Sequence, residues 1–92
     1  MRQLLFLDPG DNVAVSLVDL SPGSDIDQDG RKFQVIDMIP RGHKIATRSI
    51  AKGDAIIKYG ERMGHATKDI QVGEHVHIHN ILGDRLSTEK SI

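Results

Sequence analysis

The segment Gly73-Glu74-His75-Val76-His77-Ile78-His79-Asn80 alternates imidazoles with aliphatic side chains. That period of two is the pattern of a β-strand with one imidazole face and one apolar face. Residues two apart on a strand point the same way and sit about 6–7 Å apart. Two such rings can converge on one divalent ion, and neutral imidazole suits zinc, iron and similar metals. The plain alternative is a solvated strand face with no ligand.

Pro40-Arg41-Gly42-His43-Lys44 is a second place where chemistry can sit. Proline ends the preceding strand, glycine relaxes the turn, and His43 and Lys44 open the next strand. A turn can offer an imidazole for proton transfer beside an ammonium for a carboxylate. It can equally be an ordinary polar turn. Lys58-Tyr59-Gly60 puts a phenol at a strand end, either toward a ligand or as a rim aromatic over the core, while His65 reads as an incidental loop residue. Asp25-Ile26-Asp27-Gln28-Asp29-Gly30 matches the first half of a helix–loop–helix calcium loop, with oxygens at positions one, three and five and glycine at six. Its twelfth position is Ile36 where a bidentate Glu is required, so an acidic turn leading into the Phe33 strand is expected instead.

The chain that must position these groups has 92 residues, enough for one domain. Twelve Lys and Arg balance thirteen Asp and Glu for a net charge of −1, which offers no broad footprint for nucleic acid or an anionic membrane. Cysteine is absent, so there is no disulfide frame, thiol nucleophile or thiolate metal site. The apolar runs Leu4–Leu7 and Val13–Val18 are far short of a membrane span. No secretory leader is evident, and a cytoplasmic protein is expected. Serine nucleophile elbows, phosphate-cradling glycine loops and zinc-protease helices are missing, which argues against a solitary hydrolase.

Short β-branched runs bounded by Gly, Asp and Pro predict a mostly β fold with tight turns. One template recurs: Leu7-x-x-Gly10-Asp11-x-Val13, Ile50-x-x-Gly53-Asp54-x-Ile56 and Ile70-x-x-Gly73-Glu74-x-Val76. Each joins an apolar anchor, a glycine turn, an acid and a strand. Convergent turn chemistry and internal duplication both account for it. Residues 1–80 are expected to form the domain, and 81–92 an extended tail or docking segment.

The blocks Gly42-His43-Lys44-Ile45-Ala46, Ile50-Ala51-Lys52-Gly53-Asp54, Ile57-Lys58-Tyr59-Gly60, Gly64-x-Ala66-Thr67-x-x-Ile70 and Gly73-Glu74-x-Val76-His77-x-His79-Asn80 occur in that order. Together with Asp11-Asn12-Val13-Ala14-Val15 the set resembles the amino-terminal SAF domain of the altronate and galactarate dehydratase family, over roughly residues 8–80. The resemblance implies a small β-clip domain that works with a larger catalytic subunit of a lyase. The expected reaction is β-elimination of water from a sugar acid such as altronate or galactarate, assisted by a divalent metal, iron(II) or manganese(II). His77 and His79 are then metal ligands and catalytic groups, His43 a proton donor or ligand, and Lys44, Tyr59 and Asn80 substrate contacts. His75 departs from the aromatic residue expected there and looks more like the small subunit of sulfolactate sulfo-lyase, which eliminates sulfite. A non-catalytic sugar-acid-binding or metal-binding assembly module is the alternative of another class.

Overall fold

The computed structural model describes residues 2–84, and those residues form nine short strands and no helix. In chain order they are β1 (Leu4–Leu5), β2 (Val13–Ser16), β3 (Asp25–Gln28), β4 (Arg31–Gln34), β5 (Lys44–Ala46), β6 (Ala55–Lys58), β7 (Glu61–Ala66), β8 (His75–Val76) and β9 (Ile81–Gly83). The mostly β expectation holds. A four-stranded sheet of order β1-β2-β5-β8 forms the spine. The hairpin β3–β4 is inserted between β2 and β5, and the hairpin β6–β7 between β5 and β8, the second extended by β9. All pairings are antiparallel.

Each hairpin is pinched at its base by one isolated bridge, Leu20 against Ile39 and Ile50 against Ile70. All four of these apolar residues open the same turn, in which the third residue after the anchor is a glycine at φ +90° (Gly23), +86° (Gly42), +90° (Gly53) or +91° (Gly73). A conformation that carries a steric penalty for other residues explains the glycine. At Gly73 a side chain is also excluded by space, since a Cβ there would lie 2.1 Å from the carbonyl oxygen of Gln34. The turn repeat therefore differs from the template read in the sequence. The Leu7 copy does not belong, because Gly10 lacks the positive φ and its turn is tied to the Asp8 carboxylate. Two true copies, Leu20-Ser21-Pro22-Gly23 and Ile39-Pro40-Arg41-Gly42, escape the template because Ser24 and His43 follow their glycines where the template demands an acid.

The repetition extends to the interior. One core holds Leu4, Ala14, Leu20, Ile26, Val35, Ile39 and Ile45. The other holds Val13, Ala46, Ile50, Ile56, Ala66, Ile70, Val76 and Ile81. Leu20, Ile26, Ile39 and Ile45 of the first occupy the places that Ile50, Ile56, Ile70 and Val76 occupy in the second. Strand β5 serves both cores, Ile45 facing one and Ala46 the other, as alternation on a strand requires. Each fully buried Ile or Leu contributes about 1.5–3 kcal/mol of transfer free energy, which matters in a domain too small to bury much more.

The two hairpin tips also match, with consecutive positive φ values at Asp29-Gly30 (53° and 79°) and Tyr59-Gly60 (59° and 73°). The acids of the Asp25–Gly30 segment thus lie along a strand and its turn, as the acidic-turn reading anticipates. At the other end the domain does not stop at residue 80. Ile81–Gly83 pair with β7 and Ile81 enters the core, so the expected tail begins later; its remainder, 85–92, lies outside the described residues. β9 approaches so closely that only glycine fits at residue 64, where a Cβ would meet the Leu82 carbonyl oxygen at 2.1 Å.

Candidate functional site

Strands β5 and β8 pair with Lys44 opposite Val76 and Ile45 opposite His75. Continuing that register by one residue brings His43, the last residue of the Pro40–His43 turn, across from His77. The rings bear this out. His43 and His77 stack with centroids 4.4 Å apart, and His43 and His75 at 5.1 Å. His43 Nδ1 and His75 Nε2 stand 2.9 Å apart, a hydrogen bond in which one ring donates and the other accepts. One nitrogen from each of His43, His75 and His77 falls in a group within 4.8 Å of one another.

His79 is adjacent without belonging to this group. Its ring centroid is 5.3 Å from that of His75, with the planes tilted by 33°. The expected straight strand over residues 73–80 is confined to His75 and Val76, after which the chain turns through 77–80. Ile78, expected on the buried face, is 66% exposed, and Asn80 is completely buried. The expected ligand pair His77 and His79 is therefore not the closest set; His77 is gathered with His43 and His75.

Asn80 accounts for the turn. Its side-chain Oδ1 accepts from the His77 N–H at 3.0 Å, and its Nδ2 donates to the His75 carbonyl at 2.8 Å. Its own N–H donates to the His77 carbonyl at 3.1 Å. The amide expected to contact substrate is thus engaged with the backbone of His75 and His77. The His75 N–H is held from the other side by the Asp37 carboxylate at 3.0 Å. Nothing in the sequence singles out Asp37 beyond an acid standing between the exposed aliphatics Ile36 and Met38.

Burial holds the His75 imidazole below its usual range, and the neighbouring His43, His79 and His77 rings reinforce this against a smaller opposing effect of Asp37. His77 is lowered by burial first, then by His43, Lys44 and His79. Both rings are therefore neutral at pH 7, the form that binds metal or accepts a proton. Lys44 is 8% exposed, and burial, with a smaller contribution from Lys58, pushes its ammonium down. Among the described residues no carboxylate lies within ion-pair reach of Lys44. Lys58, named in the sequence only as the neighbour of Tyr59, thus belongs to the electrostatics around Lys44. Tyr59 caps the β6–β7 hairpin, 60% exposed, with its N–H and that of Gly60 bound by the buried Asp11 carboxylate. Its ring lies by the Lys58 ammonium, 5.4 Å from ring centre to nitrogen. His65, expected in a loop, lies within β7 instead and hydrogen-bonds Asp84 at 3.3 Å.

The arrangement can hold an ion. Two nitrogens each about 2.1 Å from a divalent metal stand about 3.0–3.4 Å apart, and the 2.9 Å separation of His43 and His75 needs little adjustment to reach that. An all-imidazole donor set favours zinc or iron(II) over manganese(II), which prefers oxygen.

Residues 2–84 match the family described as the altronate/galactarate dehydratase SAF domain. The chain belongs to that family. This SAF domain is 44% identical over 80 residues to an altronate dehydratase of Bacillus subtilis (strain 168), covering 87% of the chain and 16% of the relative. It is 47% identical over 70 residues to an altronate dehydratase of Escherichia coli (strain K12), covering 76% of the chain and 14% of the relative. With the (2R)-sulfolactate sulfo-lyase subunit alpha of Chromohalobacter salexigens it shares 46% identity over 57 residues, 61% of each chain. The SAF domain therefore spans about a sixth of the dehydratases it matches, and its relatives are lyases. No helix among its described residues is long and apolar enough to cross a membrane.

Proposed function

We propose that this SAF domain supplies imidazole and ammonium groups to a lyase that eliminates water from a sugar acid such as altronate or galactarate. The observation that carries this reading is the convergence of His43, His75 and His77 beside the buried Lys44, in a domain related to altronate dehydratases. Elimination breaks a C–H bond next to a carboxylate and a C–O bond on the following carbon, forms a C=C bond and releases water. In this reading Lys44 receives the substrate carboxylate. Charge that moves onto that carboxylate as the C–H bond breaks is stabilised by the nearby ammonium. A neutral imidazole takes the proton, and an imidazolium returns one to the departing hydroxide. Such proton transfers contribute about 10²–10⁴-fold each.

His43, His75 and His77 are the residues that would hold a divalent ion, and iron(II) fits them better than manganese(II). A bound ion would supply Lewis-acid stabilisation of an enolate-like transition state. His79 then remains free as the acid–base group, with Tyr59 a peripheral substrate contact. A domain of this size encloses no sugar acid by itself, so a larger catalytic partner completes the pocket.

A second reading replaces water by sulfite as the leaving group and the sugar acid by sulfolactate. Its support is the sulfo-lyase subunit that this chain matches over 61% of its length, together with the presence of His75 inside the imidazole group. Co-purification with the large partner, followed by assays on altronate, galactarate and sulfolactate, separates the two. In the active complex, His43→Ala and His77→Ala are expected to lower turnover by about 10²-fold or more while assembly persists. Unchanged turnover in both variants would leave a non-catalytic assembly module as the better account.

A further inference from the structure

We infer that Asn80 is the positioning residue of the imidazole group, setting the distance between the His75 and His77 rings through the backbone rather than by touching any ligand. The value of that role to catalysis rests on the lyase reading above; the positioning does not.

Three observations converge on this residue. Its side-chain amide spans the His75 carbonyl and the His77 N–H, so one rigid group fixes both peptide links around Val76. The clamp is itself anchored, because the Asn80 carbonyl accepts the Thr67 N–H at 2.9 Å and the next residue, Ile81, is buried as part of β9. The effect is visible at the rings: His75 and His77 stack at 5.3 Å between centroids, nearly parallel at 11°, shorter than the ~6–7 Å repeat of an extended strand. Without the amide, the His75 carbonyl and the His77 N–H each lose a partner, and the chain has no reason to curl between them.

The molecule contains its own control. Asn12 makes the same clamp on a different stretch, its Nδ2 donating to the Ala55 carbonyl at 2.9 Å and its Oδ1 accepting from the Ile57 N–H at 2.8 Å. Residues 55 and 57 carry no imidazole. Loss of either amide removes the same pair of hydrogen bonds, so the two substitutions separate a structural cost from a positioning role.

The test uses the full 92-residue chain, metal-free, with nuclear Overhauser contacts between imidazole protons as the first readout and cobalt(II) titration as the second. Asn80→Ala is expected to abolish the His43–His77 ring contact and weaken cobalt(II) binding by about 10–100-fold, the usual range for groups behind the ligands. Asn12→Ala is expected to leave both readouts unchanged despite a comparable loss of stability. Should Asn80→Ala not fold, Asn80→Asp decides: it keeps the acceptor for the His77 N–H but not the donor to His75, so the His43–His77 contact should persist while the His75–His77 contact is lost. Retention of every ring contact in the Asn80 variant that folds, or their equal loss in Asn12→Ala, overturns the assignment. A wild-type chain that takes up no cobalt(II) would remove the metal from the proposed function, while the ring contacts still decide the role of Asn80.

Discussion

The two halves of this domain share a scaffold and differ in what they do with it. The half built on β3–β4 and the half built on β6–β7 use the same glycine turns, the same pinching bridge and corresponding core residues. Even the brackets are alike, since the Asp19 carboxylate accepts the Arg41 N–H and the Asp69 carboxylate accepts the Lys52 N–H, both at 2.8 Å. Candidate chemistry is concentrated at the seam, where β5 of one half meets β8 of the other and His43 meets His75 and His77. What the halves hold in common is therefore the means of folding, and where they meet lies the candidate site.

The sharpest way to break this symmetry is at the turns. Gly53→Ala meets open space and bears only the left-handed backbone penalty, about 1–2 kcal/mol. Gly73→Ala bears the same penalty and also collides with the Gln34 carbonyl, so it is expected to exceed the stability of so small a domain. Urea unfolding of both variants checks this, and equal midpoints would show that the turns are interchangeable after all.

The hairpin tips give a smaller contrast. Asp-Gly is a favoured pair for two consecutive positive φ values, whereas a tyrosine at φ +59° is strained. Tyr59→Asn should stabilise the domain by about 1 kcal/mol and raise the Tm by about 4–8 °C. The same exchange at Asp29 should do almost nothing. A Tm that falls in Tyr59→Asn would mean that the ring contributes more by packing than its backbone costs.

The smallest effect is on pH. His75 and His77 are both lowered in the folded state, so below about pH 6.5 the unfolded chain binds more protons than the folded one. Their contribution is complete above that pH and is lost as the pH falls toward the folded values. Urea midpoints at pH 7.5 and 5.5 should therefore differ in wild type, and differ less in the double variant His75→Gln, His77→Gln. An equal decline in both proteins would place the acid sensitivity in other groups.

Much of the fold was legible in advance because its signals are local. Glycines at turns and short β-branched runs report their own conformation, and the ordered family blocks located the seam. Only two of the three turn copies read from the sequence were right, because the template insisted on an acid after glycine when the backbone asks only for the glycine. Part of the imidazole cluster was legible in its ingredients, since His43 and His77 stack and Lys44 lies near enough to act on His77. Its geometry was not. Alternation predicts that Ile78 and Asn80 share the buried face with Val76. Asn80 does lie buried, but Ile78 is exposed because the chain turns after Val76 and one side-chain amide holds that turn. Asp37 and Lys58 act across the fold, from strands and turns that no spacing rule connects to the histidines.

Strand β5 is only three residues long, yet it stitches the molecule together, with Ile45 in one core, Ala46 in the other and His43 just before it at the imidazole group. Neither half can open without tearing that strand from its partner. The domain should thus melt as one cooperative unit. A ligand gripped at the His43 end would stiffen both cores together, so occupancy of the seam would be felt at hairpin tips that never touch it.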